Sequence, residues 1–388
     1  MKMKQQASDF RVEEIPSIGW SEEKNPHAVY LMEKEEVDTF DAVRKIAHKL
    51  RLPQAEIGFA GLKDKHAHSL QYISLPAHCN IETMKMQGVI IKRVGYRPNK
   101  IQIGDLEGNK FTITIRDLNY QEATRLPDIL DNISDIGVPN YYDSQRFGSV
   151  IDNVFIAKLL IQQNPGAAVK QFLTAFQKSE PIQIKEEKRL IASHWNNLTS
   201  LRLTDPVLSG IIQEYTSSKD WAKAYQHIPA HLREMHANAY QSYLWNETLR
   251  ELLKATISSK DLFSVQYAAG AHLFYTTLLT KDKQAIPPEL YTPSENAVYS
   301  GVELASFKKV MEREAINQAD LARLAETGHF LKARPRETII IPKDTTASKP
   351  QPDDLNSSPR DERWKITITF TLPKGSYATI ITKRIFHR

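Results

Sequence analysis

Cysteine is almost absent from this chain of 388 residues, in which Cys79 is the single example. One thiol excludes an internal disulfide framework and any cysteine-rich zinc site. Long apolar runs are also missing, since no uninterrupted stretch approaches the roughly 18–20 residues that span a bilayer. The N-terminal segment MKMKQQASDF is polar and shows no secretory signal. Together these absences predict a cytoplasmic protein with no membrane span.

Several common catalytic motifs are absent as well. The sequence contains no GxSxG nucleophile elbow, no GxxxxGKS/T phosphate loop and no GxGxxG after a strand. The commonest hydrolase, NTPase and dinucleotide-binding interpretations are therefore excluded. His66 and His68 have the spacing of ligands on a strand, but no carboxylate or cysteine completes a site, so no metal centre is expected.

The charge balance is mildly basic, with 51 Lys and Arg against 46 Asp and Glu, a net charge of +5 and an isoelectric point near 8.9. This surplus permits binding to nucleic acid, whose phosphates attract Lys and Arg, but does not require it. The content of 41% hydrophobic and 25% charged residues is typical of a globular protein, and the length suffices for two or three domains.

The chain contains regions with two kinds of hydrophobic periodicity. Both ends contain segments with the apolar–polar alternation of half-buried strands, whereas the middle is mainly helical. Strands are predicted at 10–15, 29–34, 71–75, 89–94, 110–116, 334–342 and 365–372, and the clearest helices at 39–50, 121–136 and 235–254. The polar segment 343–363 is predicted to be a flexible loop. A C-terminal strand needs a sheet to join, so we expect one mixed sheet built from both ends, with the helical block inserted.

The first candidate site covers residues 58–72, which read GFAGLKDKHAHSLQY. One carboxylate, Asp64, stands between Lys63 and Lys65, and these cations are expected to lower its pKa and keep it ionised. Gly58 permits close approach of the main chain. From these residues alone, two interpretations stay open: a solvated charged turn, or a nucleophile held beside a polyanionic substrate.

Two further stretches carry a weaker signal. Residues 139–148 read PNYYDSQRFG, where rings that can stack on bases alternate with Asn140 and Arg146, which can contact base edges or phosphate. Residues 372–379 read LPKGSYAT, a strand end followed by a turn. Taken singly, the first stretch is also compatible with a core-packing loop and the second with an ordinary β-turn.

Together the three stretches resemble the motifs of the TruD family of RNA pseudouridine synthases. AGLKDKHA resembles the family's catalytic loop, PNYYDSQRFG its PNYFxxQRFG, and LPKGSYAT its LPxGSYAT or LPxGSFAT. The N-terminal KQQASDFRVEEI is similar to KxxPEDFxVxEI, which matches Lys4, Phe10 and Glu14 to the family's Lys, Phe and Glu. The four motifs occur in the family's order over nearly the whole chain, and Tyr142 replaces the family's Phe.

The resemblance implies an α+β fold, in which a pseudouridine-synthase catalytic domain with a mixed, largely antiparallel sheet carries an inserted, mostly helical TRUD-type domain. The boundaries predicted for these parts are 1–150 and 334–388 for the catalytic domain and 151–333 for the insertion. The implied reaction breaks the C1′–N1 bond of a uridine in RNA, turns the base and rejoins it through C5, and it needs neither cofactor nor metal.

The implied substrate is tRNA, with the uridine at position 13 as the expected target, and the protein is expected to act as a monomer. Another tRNA position or another RNA is an alternative target. A second alternative is a non-catalytic RNA-binding or chaperone protein that retained the fold.

Residue roles follow from the matched motifs. Asp64 matches the family's essential Asp and is expected to be the catalytic residue, acting on a uridine flipped out of its stack. Substrate-binding roles are expected for the aromatic, amide and cationic side chains of the motifs. Tyr142 is expected to stack on the base, Phe10 to form a second aromatic wall, and Asn140 to orient the uracil or Asp64. Lys63 and Lys4 are expected to face the carboxylate or phosphates, and Arg146 and Lys65 to contact phosphate. Of the two lysines, Lys4 is the one expected to pair with Asp64.

Overall fold

The computed structural model describes residues 1–386, which divide into two compact units. The first unit combines Met1–Val138 with Ile340–Phe386, and the second comprises Pro139–Ile339. The second unit thus begins at Pro139 and includes the PNYYDSQRFG segment, whereas the sequence analysis placed the boundary after residue 150. The identification of the units as a catalytic domain and an inserted domain stays a prediction.

Strands are concentrated at both ends of the chain and helices in its middle. In chain order the strands are β1 (Lys2–Met3), β2 (Phe10–Pro16), β3 (His27–Lys34), β4 (Gly58–Phe59), β5 (His68–Pro76), β6 (Thr83–Met86), β7 (Val89–Arg97), β8 (Leu106–Leu118), β9 (Val138–Pro139), β10 (Leu262–Tyr267), β11 (Gly270–Tyr275), β12 (Glu289–Tyr291), β13 (Pro335–Glu337), β14 (Ile339–Ile340), β15 (Lys343–Ala347), β16 (Gln351–Pro352) and β17 (Trp364–Pro373). The α-helices are α1 (Thr39–Leu50), α2 (Tyr120–Ile136), α3 (Ile156–Ile161), α4 (Pro165–Thr174), α5 (Ile182–Ser193), α6 (Pro206–Ser218), α7 (Trp221–Gln226), α8 (Ala230–Thr256), α9 (Thr280–Ala285), α10 (Gly301–Glu314) and α11 (Ala378–Phe386).

The first unit is built on a mixed sheet with the strand order β15-β17-β8-β2-β5-β3-β7-β6. The short strands β1, β16 and β4 pair with β8, β17 and β5. β2 and β5 run parallel, and the other described pairs in this sheet are antiparallel. The sheet therefore takes strands from both chain ends and is largely antiparallel, as predicted.

The central pair, β8 and β17, shows why the alternating pattern is informative. Phe111 lies opposite Phe370 and Ile113 opposite Ile368, and all four side chains are buried. The threonines between them lie on the other face of the sheet, where the hydroxyl groups of neighbouring strands approach each other. Since successive side chains of a strand point to opposite faces, the two sequences predicted both the strands and their buried face correctly.

Helix α1 covers the part of the sheet formed by β3, β5 and β7. The carboxylate of Asp38 accepts a hydrogen bond from the amide of Asp41 and caps the first turn. Val43, Ile46 and Ala47 recur at helical spacing and are buried in a core shared with these strands. The observed bounds of α1, Thr39–Leu50, equal the predicted 39–50.

Two parts of the polar segment 343–363 belong to the sheet, so its prediction as a loop is wrong for Lys343–Ala347 and Gln351–Pro352. β15 and β16 pair with β17, and the Asp353 side chain is fully buried. Its carboxylate accepts hydrogen bonds from Arg116 Nη1 at 3.0 Å and from the main-chain amide of Asp117 at 2.8 Å. Arg116 Nε also donates to Asp9 at 2.9 Å. Polar composition indicated a loop, but the segment is held by a buried arginine that is bonded to three carboxylates, those of Asp9, Asp353 and Asp354.

The second unit is mainly helical. Helices α3 to α7 enclose an apolar core, and the long helix α8 packs against α10. Two short antiparallel pairs, β10 with β11 and β12 with β13, complete the unit. Among residues 1–386, no helix is long and apolar enough to cross a membrane.

Candidate active site

Asp64 lies on the loop between β4 and β5 of the first unit, and its side chain is 29% exposed. Oδ2 accepts a hydrogen bond from Lys4 Nζ at 2.8 Å, and Oδ1 accepts one from the main-chain amide of His66 at 3.4 Å. The expected contact between Lys4 and Asp64 is therefore present. The carboxylate is held from two directions and still reaches solvent.

The environment favours the ionised form of Asp64. Burial by itself raises the pKa of a carboxyl group, but the hydrogen bond and charge of Lys4 and the amide of His66 outweigh this effect. The pKa of Asp64 is therefore lowered from its ordinary value. At neutral pH this side chain is a carboxylate, as nucleophilic attack or proton abstraction requires.

Lys4 reaches Asp64 from an unusual backbone position. Its φ of 57° lies in the left-handed region, which non-glycine residues rarely adopt. Its ammonium group lies 4.2 Å from the ring centroid of Phe10. Phe10 itself is 5% exposed and packs edge-to-face on Phe111. Phe10 thus contacts Lys4 with a mostly buried ring, and its expected role as a second aromatic wall stays a prediction.

Buried polar side chains hold the loop that carries Asp64. Thr39 Oγ1 accepts a hydrogen bond from the amide of Lys63 at 2.9 Å and donates to Gln71 Oε1 at 2.9 Å. Gln71 Nε2 donates in turn to the carbonyl oxygen of Gly61 at 3.2 Å. Thr39 and Gln71 are almost wholly inaccessible to solvent. This chain of hydrogen bonds fixes the main chain just before Asp64.

Lys63 adjoins Asp64 in sequence but points elsewhere. Its Nζ lies 2.6 Å from Glu14 Oε2, in an ion pair whose side chains are 6% and 0% exposed. Glu14 Oε1 also accepts the amide of Tyr72 at 3.2 Å. A substrate phosphate cannot reach this ammonium group without breaking a buried pair, so the expected contact of Lys63 with the carboxylate or phosphates is not seen. Lys65 is exposed at the surface of the loop.

Tyr142 lies in the second unit, in an aromatic and cationic cluster. The Arg336 guanidinium lies 4.0 Å from its ring centroid, and Trp245 packs edge-to-face at 5.7 Å. Asn246 holds the main chain of Tyr142 at both ends: its Oδ1 accepts the Tyr142 amide at 2.9 Å, and its Nδ2 donates to the Tyr142 carbonyl at 2.8 Å. Tyr142 thus presents an oriented, half-buried ring that is already in contact with a cation.

Asn140 orients the same cluster from within. Its Oδ1 accepts a hydrogen bond from Arg336 Nη2 at 2.9 Å, and its Nδ2 donates to the carbonyl oxygen of Glu337 at 3.1 Å. The residue is 4% exposed. Both ends of its amide are engaged in the second unit, and this arrangement fits a role in placing Arg336 over Tyr142.

Arg146 borders the cluster. Its Nε donates to Ser242 Oγ on α8 at 3.0 Å, and its guanidinium lies 5.5 Å from the Tyr142 ring centroid. The side chain is partly exposed, so the expected phosphate contact stays a prediction. The third stretch, LPKGSYAT, is the end of β17 and the turn into α11, with Gly375 at a φ of 80°.

Sequence reasoning missed Arg336, Asn246 and Thr39. Arg336 lies in the short strand β13, opposite Leu290 of β12, and reaches residue 142 across 194 positions of sequence. No local pattern encodes such a pairing. A weak signal existed for Asn246, a polar residue on the buried face of the clearest helix.

Within residues 1–386, no group of three or more His, Cys, Asp and Glu side chains is arranged to hold a metal ion. His68, one of the two spaced histidines, places its Nε2 2.7 Å from Glu33 Oε1.

The family model of tRNA pseudouridine synthase D (TruD) matches residues 1–385. A probable tRNA pseudouridine synthase D 1 of Methanococcus maripaludis is 35% identical over 398 residues, covering 100% of both chains. A probable tRNA pseudouridine synthase D 2 of Methanocaldococcus jannaschii is 34% identical, covering 100% of this chain and 92% of its own. The crystal structure of a putative TruD from Methanosarcina mazei has a similar fold, with a TM-score of 0.72, 24% identity and coverage of 99% of this chain and 92% of the other.

Proposed function

We infer the chemistry of this protein from the premise that the chain belongs to the tRNA pseudouridine synthase D (TruD) family. It is a tRNA pseudouridine synthase, which isomerises uridine to pseudouridine in tRNA. The reaction breaks the N1–C1′ bond, forms a C5–C1′ bond, removes the proton from C5 and leaves a proton on N1, so its atoms balance without a co-reactant.

We propose that Asp64 is the catalytic residue. The observation that supports this role is the 2.8 Å contact with Lys4 on a loop held by buried polar groups, which keeps an accessible carboxylate ionised. Such a group can add to C1′ of the sugar, add to C6 of the base, or remove a proton to form a glycal. In each route the carboxylate must be charged and aimed, and the loop provides both conditions.

Tyr142 is proposed to stack on a base of the tRNA. The Arg336 guanidinium lies over one face of its ring, and both kinds of group stack on RNA bases. Asn140 acts on this surface through Arg336. Phosphate contacts are proposed for the exposed Lys65 and for Arg146, whereas Lys63 is proposed to anchor the loop through Glu14.

The proposed target is the uridine at position 13 of tRNA, and the protein is proposed to act as a cytoplasmic monomer. Pseudouridine mapping at one-nucleotide resolution tests the target, with unmodified tRNA treated with the wild-type protein, with the Asp64→Asn variant or with neither. We expect pseudouridine at position 13 with the wild-type protein alone. Pseudouridine at another position would show that the target is a different uridine. The absence of pseudouridine from every tRNA and other RNA tested would favour a non-catalytic RNA-binding protein.

A further inference from the structure

A buried lysine that the proposed chemistry does not use lies directly beneath the loop of Asp64. Lys34 is the last residue of β3 and is 1% exposed. It follows Tyr30 and Met32 on the face of the strand that packs in the core with α1. Lysine is rarely buried so fully unless its ammonium group has partners.

The partners of Lys34 are main-chain carbonyl oxygens. Its Nζ donates to Val37 at 2.7 Å, to Asp64 at 2.9 Å and to Lys63 at 3.2 Å. An ammonium group has three donors and no acceptor, so these bonds use its full capacity. Two of the three carbonyls belong to Asp64 and the residue before it, which places the cation under the peptide that directs the carboxylate.

We propose that Lys34 is a positioning residue for Asp64: its protonated side chain fixes the main chain at residues 63 and 64 and so sets the direction of the Asp64 carboxylate. This role rests on the proposed catalytic function of Asp64. It is distinct from the contribution of Lys4, which touches the carboxylate itself.

The hydrogen bonds from Lys34 to the three carbonyl oxygens depend on its charge state. Burial lowers its pKa to about 8, against the opposing effect of Asp38 and Asp64 and with a further lowering effect from Lys63. On the neighbouring strands β5 and β7, the residues opposite Lys34 are Ser69 and Val89, and neither side chain titrates in this range. A neutral amine keeps two donors and gains a lone pair, so at least one of the three carbonyls loses its donor above this pH.

Activity and global stability then respond to pH in opposite directions. The folded-state pKa of Lys34 lies below that of an unfolded lysine, so between about pH 8 and the ordinary lysine pKa of about 10.4 the unfolded chain binds more protons. The contribution of this group to stability therefore rises with pH in that window. A loss of turnover between about pH 8 and 10.4 would therefore indicate a change in the loop of Asp64 rather than unfolding.

Lys34→Met tests the role through kinetics, because methionine fills a similar volume without donors. We expect kcat for pseudouridine formation to fall by roughly tenfold to a hundredfold, the order expected for a misplaced catalytic group, while the Kd for tRNA stays within about twofold. Lys188→Met is the matched control, since Lys188 is also a buried lysine that donates to a carbonyl, that of Ala175, but lies in the second unit. It should keep the wild-type kcat. An unchanged kcat in Lys34→Met would overturn the proposal.

The pH profile separates positioning from a merely structural role. In the wild-type protein, kcat should fall with an apparent pKa near 8. Lys34→Met should lose this basic limb and show a low kcat at all pH values, whereas Lys188→Met should retain it. A basic limb that persists unchanged in Lys34→Met contradicts the proposal.

Hydrogen exchange of the wild-type protein provides a test that needs neither the variant nor catalysis. The Lys63 amide, bonded to Thr39 Oγ1, reports the order of the loop. Its protection, corrected for the intrinsic rate, should decrease as pH rises through 8, while protection of the α8 amides should not decrease. Constant protection at Lys63 would overturn the proposal even if Lys34→Met did not fold. If Asp64→Asn proved active, the proposed catalytic role would fail, but this exchange result would still decide whether Lys34 holds the loop.

Discussion

The loop of Asp64 and the segment of Tyr142 are both held in a fixed conformation, but by different physical interactions. Each is a short irregular segment whose main chain is held by buried polar side chains of a neighbouring element, Thr39 and Lys34 in the first unit and Asn246 in the second. The first segment is surrounded by charges, the second by rings and guanidinium groups. The proposed role of Asp64 needs an ionised and aimed carboxylate: Lys4 and the His66 amide bond the carboxylate, while Lys34 bonds the main chain of the loop. A ring that stacks needs a fixed plane, and aromatic packing provides one.

The comparison predicts the largest functional effect at Asp64. Asp64→Asn keeps the shape of the side chain but removes its charge, so kcat should fall by about a thousandfold or more, while the Kd for tRNA should change little. Single-turnover assays and filter binding measure the two quantities. Asp41→Asn, at a partly exposed carboxylate on α1, is the control and should behave as wild type. Turnover near the wild-type level in Asp64→Asn would remove this residue from the chemistry.

The next effect concerns the buried charges that distinguish the first unit. Glu14→Gln leaves the Lys63 ammonium buried without a counter-charge, so the free energy of unfolding should fall by about 3–5 kcal/mol in urea titrations. Glu13→Gln, at a partly exposed position of the same strand, should cost within about 0.5 kcal/mol. Equal losses for the two variants would show that the buried pair is not what stabilises this region.

A smaller effect is expected in the aromatic cluster. Tyr142→Ala removes the ring that contacts Arg336 and is proposed to stack on a base, and should lower kcat/KM for tRNA by the equivalent of about 1–3 kcal/mol. Tyr142→Phe retains the ring and should stay close to wild type. If both substitutions caused the same loss, the hydroxyl group rather than the ring face would be the functional part.

The smallest effect is a displacement of the pH profile. Lys4→Met removes the hydrogen bond and the charge that lower the pKa of Asp64, so burial acts unopposed by Lys4 and the pKa rises. Because the proposed catalytic role of Asp64 needs the carboxylate form, the acid limb of kcat/KM should move to higher pH. Lys4→Arg keeps the charge and should displace the limb less. An acid limb at the same pH in all three proteins would argue against charge support by Lys4.

Local patterns predicted much of the fold. The alternation in β8 and β17 and the helical spacing of α1 depend on neighbours within a few residues, and these elements formed as expected. Gly58 also fits its expectation of close main-chain approach, since a Cβ atom there would lie 2.4 Å from the carbonyl oxygen of Ile101. The prediction for segment 343–363 failed because the order of this segment depends on Arg116, which is more than two hundred positions away in the sequence.

By itself, the sequence determined the α+β class, the strands from both ends and the identity of Asp64 as the residue to test. These features follow from the periodicity of neighbouring residues and from the order of the motifs, both of which can be read directly from the sequence. Tertiary structure alone decided that Lys63 pairs with Glu14 and that Lys34 binds the carbonyl groups of the loop. Lys63 adjoins Asp64 in sequence yet pairs with Glu14, whereas Lys4, sixty positions away, binds Asp64, and Lys34 binds the carbonyl groups of the loop. The reason is physical: charge pairing depends on distance and burial in the folded chain, and neither quantity follows from separation along it.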